Sequence, residues 1–278
     1  MTDLEPATGR TASSSSILNF DASDVTRDPF PHVLSTEFLR PELFERLLAD
    51  FPGDGHFDGK PEGGRTGRDF YPDDPGFQDF LRSSEAWREF HGFINSGSFV
   101  DFVIECFGPH LDAFGGKVDP SAVTFEQHVE SRDELANHGR LGARMRRLFG
   151  RRSDLTNQLY TRFDIEQGGA AYAKPVHCDH ESRFASLVLY FSDSDELEMD
   201  GGDLQIHRHR QSKAMERYER HPRPGDTEVV ATVRPKPNTG VLFLCCNNSY
   251  HGVTEIKSAN GYRRFCYLNV SSRAARIW

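Results

Sequence analysis

Apolar positions along this chain change their period near residue 158. Before that point they recur at helical spacing: Leu43, Leu47, Leu48 and Phe51 lie on one helical stripe that stops at Pro52-Gly53, after helix-start chemistry at Ser35-Thr36-Glu37 and Pro41-Glu42. Further helical patterns fall at 76–81, 85–95 and 98–107, the last closed by Gly108-Pro109. Pro29 and Pro31 disfavour helix and predict an extended segment at 28–33. After residue 158 the apolar runs shorten to strand length, at 159–165, 185–191, 203–207, 228–233, 241–246 and 264–270. Turn residues separate them at Gly168-Gly169, Gly201-Gly202 and Asn238-Thr239-Gly240. Many short strands at such intervals predict an antiparallel double-sheet roll or sandwich. The expected class is α+β with a mainly β core: a helical N-terminal half capping a jelly roll.

Three regions follow from this pattern. Residues 1–26, with the Ser13–Ser16 tract, read as a flexible leader; 27–157 form a helical region with a basic insert; and 158–278 form the β core, all one functional unit. The Gly- and Pro-rich stretch 54–74 predicts a mobile surface loop.

Composition narrows the functional classes. With 278 residues, 22 of them phenylalanine, the chain can bury a sizeable core. Its start lacks the charge and apolar run of a signal peptide, and no stretch approaches the roughly 20 apolar residues of a membrane span, so a cytoplasmic location is expected. The five cysteines are odd in number and form no C-x-x-C pair, which argues against a zinc ribbon or a dithiol redox site. A net charge of −9 argues against a nucleic-acid partner, although arginines concentrate at 140–152 and in the basic segment 207–223. Those inserts suit a solvated helix or a lid that attracts an anionic substrate. The oligomeric state cannot be read from these patterns.

The chemistry concentrates in His177, Asp179 and His251. In an extended strand one residue intervenes between side chains on the same face, so His177 and Asp179 can address one metal while Cys178 faces away. His251 follows a second apolar run. Two imidazoles and a carboxylate form a three-coordinate face with open positions opposite, which suits Fe(II) receiving a bidentate oxoacid and dioxygen. Alone, His177-Cys178-Asp179 reads as a surface histidine beside a carboxylate; His251 and the arginines beyond it change the balance. His180 is a rival ligand, but strand alternation turns it to the other face.

In order, Val176-His177-Cys178-Asp179, Leu187-Val188-Leu189-Tyr190-Phe191, Gly201-Gly202-Asp203-Leu204, Gly240-Val241-Leu242-Phe243, His251-Gly252-Val253 and Arg264-Phe265-Cys266 resemble the Fe(II)- and 2-oxoglutarate-dependent oxygenases, in their prolyl-4-hydroxylase-like branch. The resemblance implies a double-stranded β-helix (jelly roll, cupin-like), Fe(II), 2-oxoglutarate and O2 as cofactors, and His177, Asp179 and His251 as iron ligands. It further implies that Arg264 grips the distal carboxylate of the oxoacid. Arg263 competes for that role, since alternation lets only one of the two point inward. Tyr160 is the oxoacid contact expected on the preceding strand, with Tyr172 nearer the metal pair. Arg162 and Arg183 are expected to meet the substrate, a small molecule, amino acid or peptide-linked residue, possibly anionic, hydroxylated at an unactivated C–H bond. Competing readings are a cupin-like metal-binding sensor without turnover, a Zn or Mn isomerase, and a nucleic-acid oxygenase.

Overall fold

The computed structural model describes residues 14–57, 67–129, 155–211 and 217–278. In chain order its helices are α1 (Ser14–Ile17), α2 (Pro41–Ala49), α3 (Phe77–Ser83), α4 (Glu85–Ile94), α5 (Gly97–Phe107) and α6 (Leu111–Phe114). Its strands are β1 (His32–Ser35), β2 (Gly67–Phe70), β3 (Thr124–Phe125), β4 (Gln158–Gly168), β5 (Lys174–His177), β6 (Arg183–Tyr190), β7 (Leu204–His209), β8 (Thr227–Val233), β9 (Gly240–Leu244), β10 (His251–Val253) and β11 (Arg263–Ser272). They form two sheets: a larger one ordered β1-β9-β6-β11-β4-β2, with β3 beside β4, and a smaller one ordered β5-β10-β7-β8. Apart from the parallel β3–β4 pair, all ladders are antiparallel, as expected for a double-stranded β-helix.

The larger sheet is covered on both faces, which explains the nearly continuous burial of β6 and β9. Leu187, Leu189 and Phe191, with Phe163, Cys266 and Leu268, face the helices. There Trp87 stacks on Phe191 at 5.5 Å and meets Phe163 at 6.4 Å, while its indole N–H donates to the Leu47 carbonyl at 3.0 Å. Helices α4 and α5 start where Ser84 and Ser96 accept hydrogen bonds from the Trp87 and Phe99 amides, each satisfying an otherwise orphaned donor. The opposite face looks into the roll and carries the polar side chains.

Two glycines are demanded by the backbone. Gly201 has φ 89°, and a Cβ there would lie 1.9 Å from the Glu255 carbonyl oxygen; Gly240 lets β9 pass under the Phe38 ring, 2.3 Å from where its Cβ would be. The turn β6–β7 and the start of β9 therefore require the residues that the chain provides.

Several expectations need correction. The leader does not extend to residue 26: Ile17 and Leu18 are buried in the core, and Thr26 bridges to His32. The 54–74 stretch is not wholly loop, because Asp54–Phe57 forms a 3-10 turn and β2 pairs with β4 as a true strand. The N-terminal half is not purely helical either, since β1, β2 and β3 complete the larger sheet. The arginine run at 140–152 lies outside the described residues.

The segment after β11 closes over the 181–183 turn. Ser272 and Ile277 amides donate to the Ser182 and Glu181 carbonyls at 2.9 and 2.8 Å, and the Trp278 indole donates to the Arg183 carbonyl at 2.8 Å. Three consecutive carbonyls next to Asp179 are thereby fixed.

Candidate metal centre

His177 is the last residue of β5 and His251 the first of β10, and the two are direct cross-strand partners, so both rings rise from one face. Their centroids are 4.5 Å apart. Each Nδ1 faces a backbone carbonyl two residues earlier: Pro175 at 2.8 Å for His177, Ser249 at 2.9 Å for His251. That pairing protonates Nδ1 and leaves each Nε2 lone pair aimed at a common point, the usual support for a metal-ligating imidazole. Asp179 follows β5 by two residues, its Oδ1 3.9 Å from His177 Nε2, and one ligand atom from each of the three residues lies within 4.8 Å of the others. Among the described residues this is the one such His/Cys/Asp/Glu group. An N/N/O donor set with preoriented imidazoles fits a ferrous ion.

The protonation states agree. Burial, reinforced by the neighbouring His251, pushes the His177 ring down to about 3, so it is neutral at physiological pH. Burial opposes ionisation of Asp179. The Arg183 guanidinium and the Ser186 hydroxyl outweigh it and hold the carboxyl well below the ordinary range. Asp179 is fully enclosed: Oδ1 accepts from Arg183 Nη1 at 2.7 Å, Oδ2 from Ser186 Oγ at 2.6 Å, and the Tyr267 hydroxyl approaches both oxygens at 3.4 and 3.5 Å.

His180 is not in the cluster; its Nδ1 meets Ser182 Oγ at 2.8 Å. Arg183 lies beside Asp179 and the Tyr267 hydroxyl, so it supports the ligand and is not directed outward at substrate. Arg162 pairs with the buried Asp164 through Nε and Nη2, on the inner face of β4. All five cysteines are free and buried, as expected for reduced core thiols.

The oxoacid contact is where strand parity matters most. On β11 Arg263, Phe265, Tyr267 and Asn269 share the inner face with Tyr190 and Ser186 of β6. Arg264 lies on the other face, where it pairs with Asp54 at 3.1 Å and lies over the Phe51 ring; its side chain is 40% exposed. Arg264 therefore cannot reach into the roll, and Arg263 can. Arg263 is 1% exposed, donates from Nη2 to the Tyr190 hydroxyl at 2.9 Å, and lies against the rings of Phe265, Tyr190 and Tyr172. Its Nε has no partner, and no carboxylate among the described residues forms a salt bridge with it. Tyr160 is inward and buried, but it pairs with Ser271, whereas Arg263 pairs with Gly168. Eight residues of strand separate them along β4, about 26 Å at 3.3 Å per residue, so the two cannot hold one carboxylate. Tyr190 and Tyr267 are the inward tyrosines that the sequence reading passed over. Both were findable, since Tyr190 ends a strand of known parity and Tyr267 sits four residues after Arg263.

A His/His/carboxylate face inside a β-roll defines a candidate metal site. Residues 162–270, which include His177, Asp179 and His251, match the family described as the 2OG-Fe(II) oxygenase superfamily. That superfamily uses Fe(II), 2-oxoglutarate and dioxygen, and the triad is a group that could hold the iron. The fold is shared with a prolyl-4-hydroxylase of Pseudomonas putida, at 15% identity and a TM-score of 0.50, covering 91% of this chain and 98% of that one. A prolyl hydroxylase from Trichoplax adhaerens, solved with a hypoxia inducible factor oxygen degradation domain peptide fragment, is similar at 11% identity and a TM-score of 0.45 over 90% of this chain and 88% of that one. No curated protein matches the chain. No helix among the described residues is long and apolar enough to cross a membrane.

Proposed function

We propose that this protein is a hydroxylase that inserts oxygen into an unactivated C–H bond of a small molecule, an amino acid or a peptide-linked residue. His177, Asp179 and His251 hold the iron, and Arg263 with Tyr190 binds the distal carboxylate of 2-oxoglutarate. The observation that carries this reading is Arg263. A guanidinium buried to 1%, with an unpartnered Nε and no salt bridge, felt only through space by the Glu166 carboxylate, is costly unless an anion completes it. It stands on the inner face of β11, the face from which the Tyr267 hydroxyl reaches Asp179.

When bound, iron with 2-oxoglutarate and dioxygen supplies the oxidising power for C–H cleavage. The chain's part is positional. Arg263 offers a planar fork to two carboxylate oxygens, and the aromatic rings of Tyr172, Tyr190 and Phe265 keep water from it. Arg183 and Ser186 fix Asp179. Arg162 has Nη1 left beyond its pair with Asp164, and this edge on the inner face is the contact proposed for a polar or anionic group of the substrate.

The test is anaerobic titration of 2-oxoglutarate into Mn(II)-loaded protein, followed by aerobic assay of Fe(II)-dependent succinate release across amino acids and short peptides. Expected are saturable oxoacid binding that requires the metal, and substrate-stimulated succinate. Metal binding without oxoacid binding would reject the hydroxylase in favour of a metal-binding sensor.

A further inference from the structure

Asp179 is held by more than one side chain, and the donors around it run in one direction. Ser186 Oγ lies 2.6 Å from Asp179 Oδ2 and 2.8 Å from the Asn269 side-chain oxygen as placed, and both contacts would draw on the hydroxyl's proton. A serine has one proton to give. A carboxylate serving as a metal ligand is ionised and can only accept, so the proton goes to Asp179. Asn269 must then turn its amide so that its NH2 donates to the Ser186 lone pair. The same turn removes an otherwise unexplained feature, the fully buried Asn269 Nδ2 without a partner. The Cys245 thiol, 3.7 Å away, also points at Oδ2.

We propose that Asn269 and Ser186 form a one-way hydrogen-bond relay onto Oδ2 that makes Asp179 a ligand through Oδ1 alone. Both are positioning residues, and the inference rests on the metal reading above. An aspartate free at both oxygens can chelate through both and occupy a position that the oxoacid needs. With Oδ2 committed to Ser186, and Ser186 polarised by Asn269, that mode is closed. The relay is built from fully buried side chains on two adjacent strands, since Ser186 and Asn269 are cross-strand partners of β6 and β11.

The test compares Ser186→Ala and Ser186→Thr with wild type by calorimetric titration, first of Mn(II) and then of 2-oxoglutarate into the Mn(II) form, with the visible spectrum of the Co(II) form read in parallel. Ser186→Ala should keep Mn(II) binding while 2-oxoglutarate affinity drops by about tenfold or more, because the freed Oδ2 competes for the position that the oxoacid needs. Its Co(II) spectrum should change, and Ser186→Thr should restore both. Unchanged oxoacid affinity and an unchanged Co(II) spectrum in a folded Ser186→Ala protein overturn the relay. Should that variant fail to fold, the Mn(II)-loaded wild-type crystal structure decides: Asp179 on the metal by one oxygen with the other on Ser186 supports it, and both oxygens on the metal overturns it. Wild-type protein that binds no Mn(II) overturns the metal reading itself, a result distinct from failure of the relay.

Discussion

Replacing Arg263 with leucine tests the face assignment on β11 more sharply than any other change. The guanidinium is 1% exposed and donates to the Tyr190 hydroxyl at 2.9 Å. Two parallel charge-assisted bonds to a carboxylate are worth about 1.5–3 kcal/mol each. Truncating one partner of a buried, hydrogen-bonded charge pair costs about 2–5 kcal/mol. At about 1.4 kcal/mol per decade, Arg263→Leu should weaken 2-oxoglutarate binding to the Mn(II) form by roughly 30-fold to several thousandfold. Stability should not fall by a comparable amount, because no salt bridge is lost and leucine fits an aromatic surround. Arg264→Leu removes an ion pair whose partners are 40% and 56% exposed, worth at most about 1 kcal/mol, and should leave oxoacid affinity within about fivefold of wild type. Arg263→Lys, with the charge kept and the fork lost, should fall between. Anaerobic calorimetry reads all three. Loss of binding in Arg264→Leu with retention in Arg263→Leu would refute the assignment.

Three further outcomes follow from the geometry. His251→Ala should abolish the thermal stabilisation that Mn(II) confers, which at a hundredfold excess over Kd is about 2.7 kcal/mol; an equal melting shift in variant and wild type would contradict the site. Burial lowers His91 to about 4 in the aromatic layer between Phe77 and Phe163. Its folded value lies below its unfolded one, so its contribution is present above about pH 6.5 and is lost as pH falls toward 4. Urea unfolding from pH 7 to 4.5 should therefore show wild type losing on the order of 2 kcal/mol more than His91→Phe, and parallel curves would discard the cause. Gly201→Ala puts a methyl carbon 1.9 Å from the Glu255 carbonyl at φ 89°, and should cost about 1–3 kcal/mol by chemical denaturation.

The metal pair was readable because strand alternation is local: His177 and Asp179 need only two residues of extended chain, and His251 needs only a strand start. Parity on β11 was readable too and was misjudged. Cys266, Leu268 and Val270 form the apolar side that packs on the helices, while Tyr267, Asn269 and Ser271 form the polar side, and Arg263 belongs to the second set. The three-residue resemblance at 264–266 points to Arg264, where alternation points to Arg263. Strands β2 and β3 were hidden for another reason: each is short, lies far from β4 in sequence and is made by pairing, with no pattern of its own. Tyr160 shows the limit of parity, which gives the facing direction but not the distance along the strand.

Strand β11 runs between β4 and β6 and carries Arg263 near one end, Tyr267 and Asn269 midway, and leads into the residues that fasten the 181–183 turn. A slip of one position would rotate this whole set outward and bring Arg264 inward as a decoy guanidinium, with no tyrosine at hand to meet it. Hydrogen bonding along both edges forbids that slip, so the reach from the proposed oxoacid grip to the candidate metal site is gauged by a single rod whose two ends cannot be adjusted independently. Changes that lengthen or shorten this rod should alter co-substrate fit and metal geometry together.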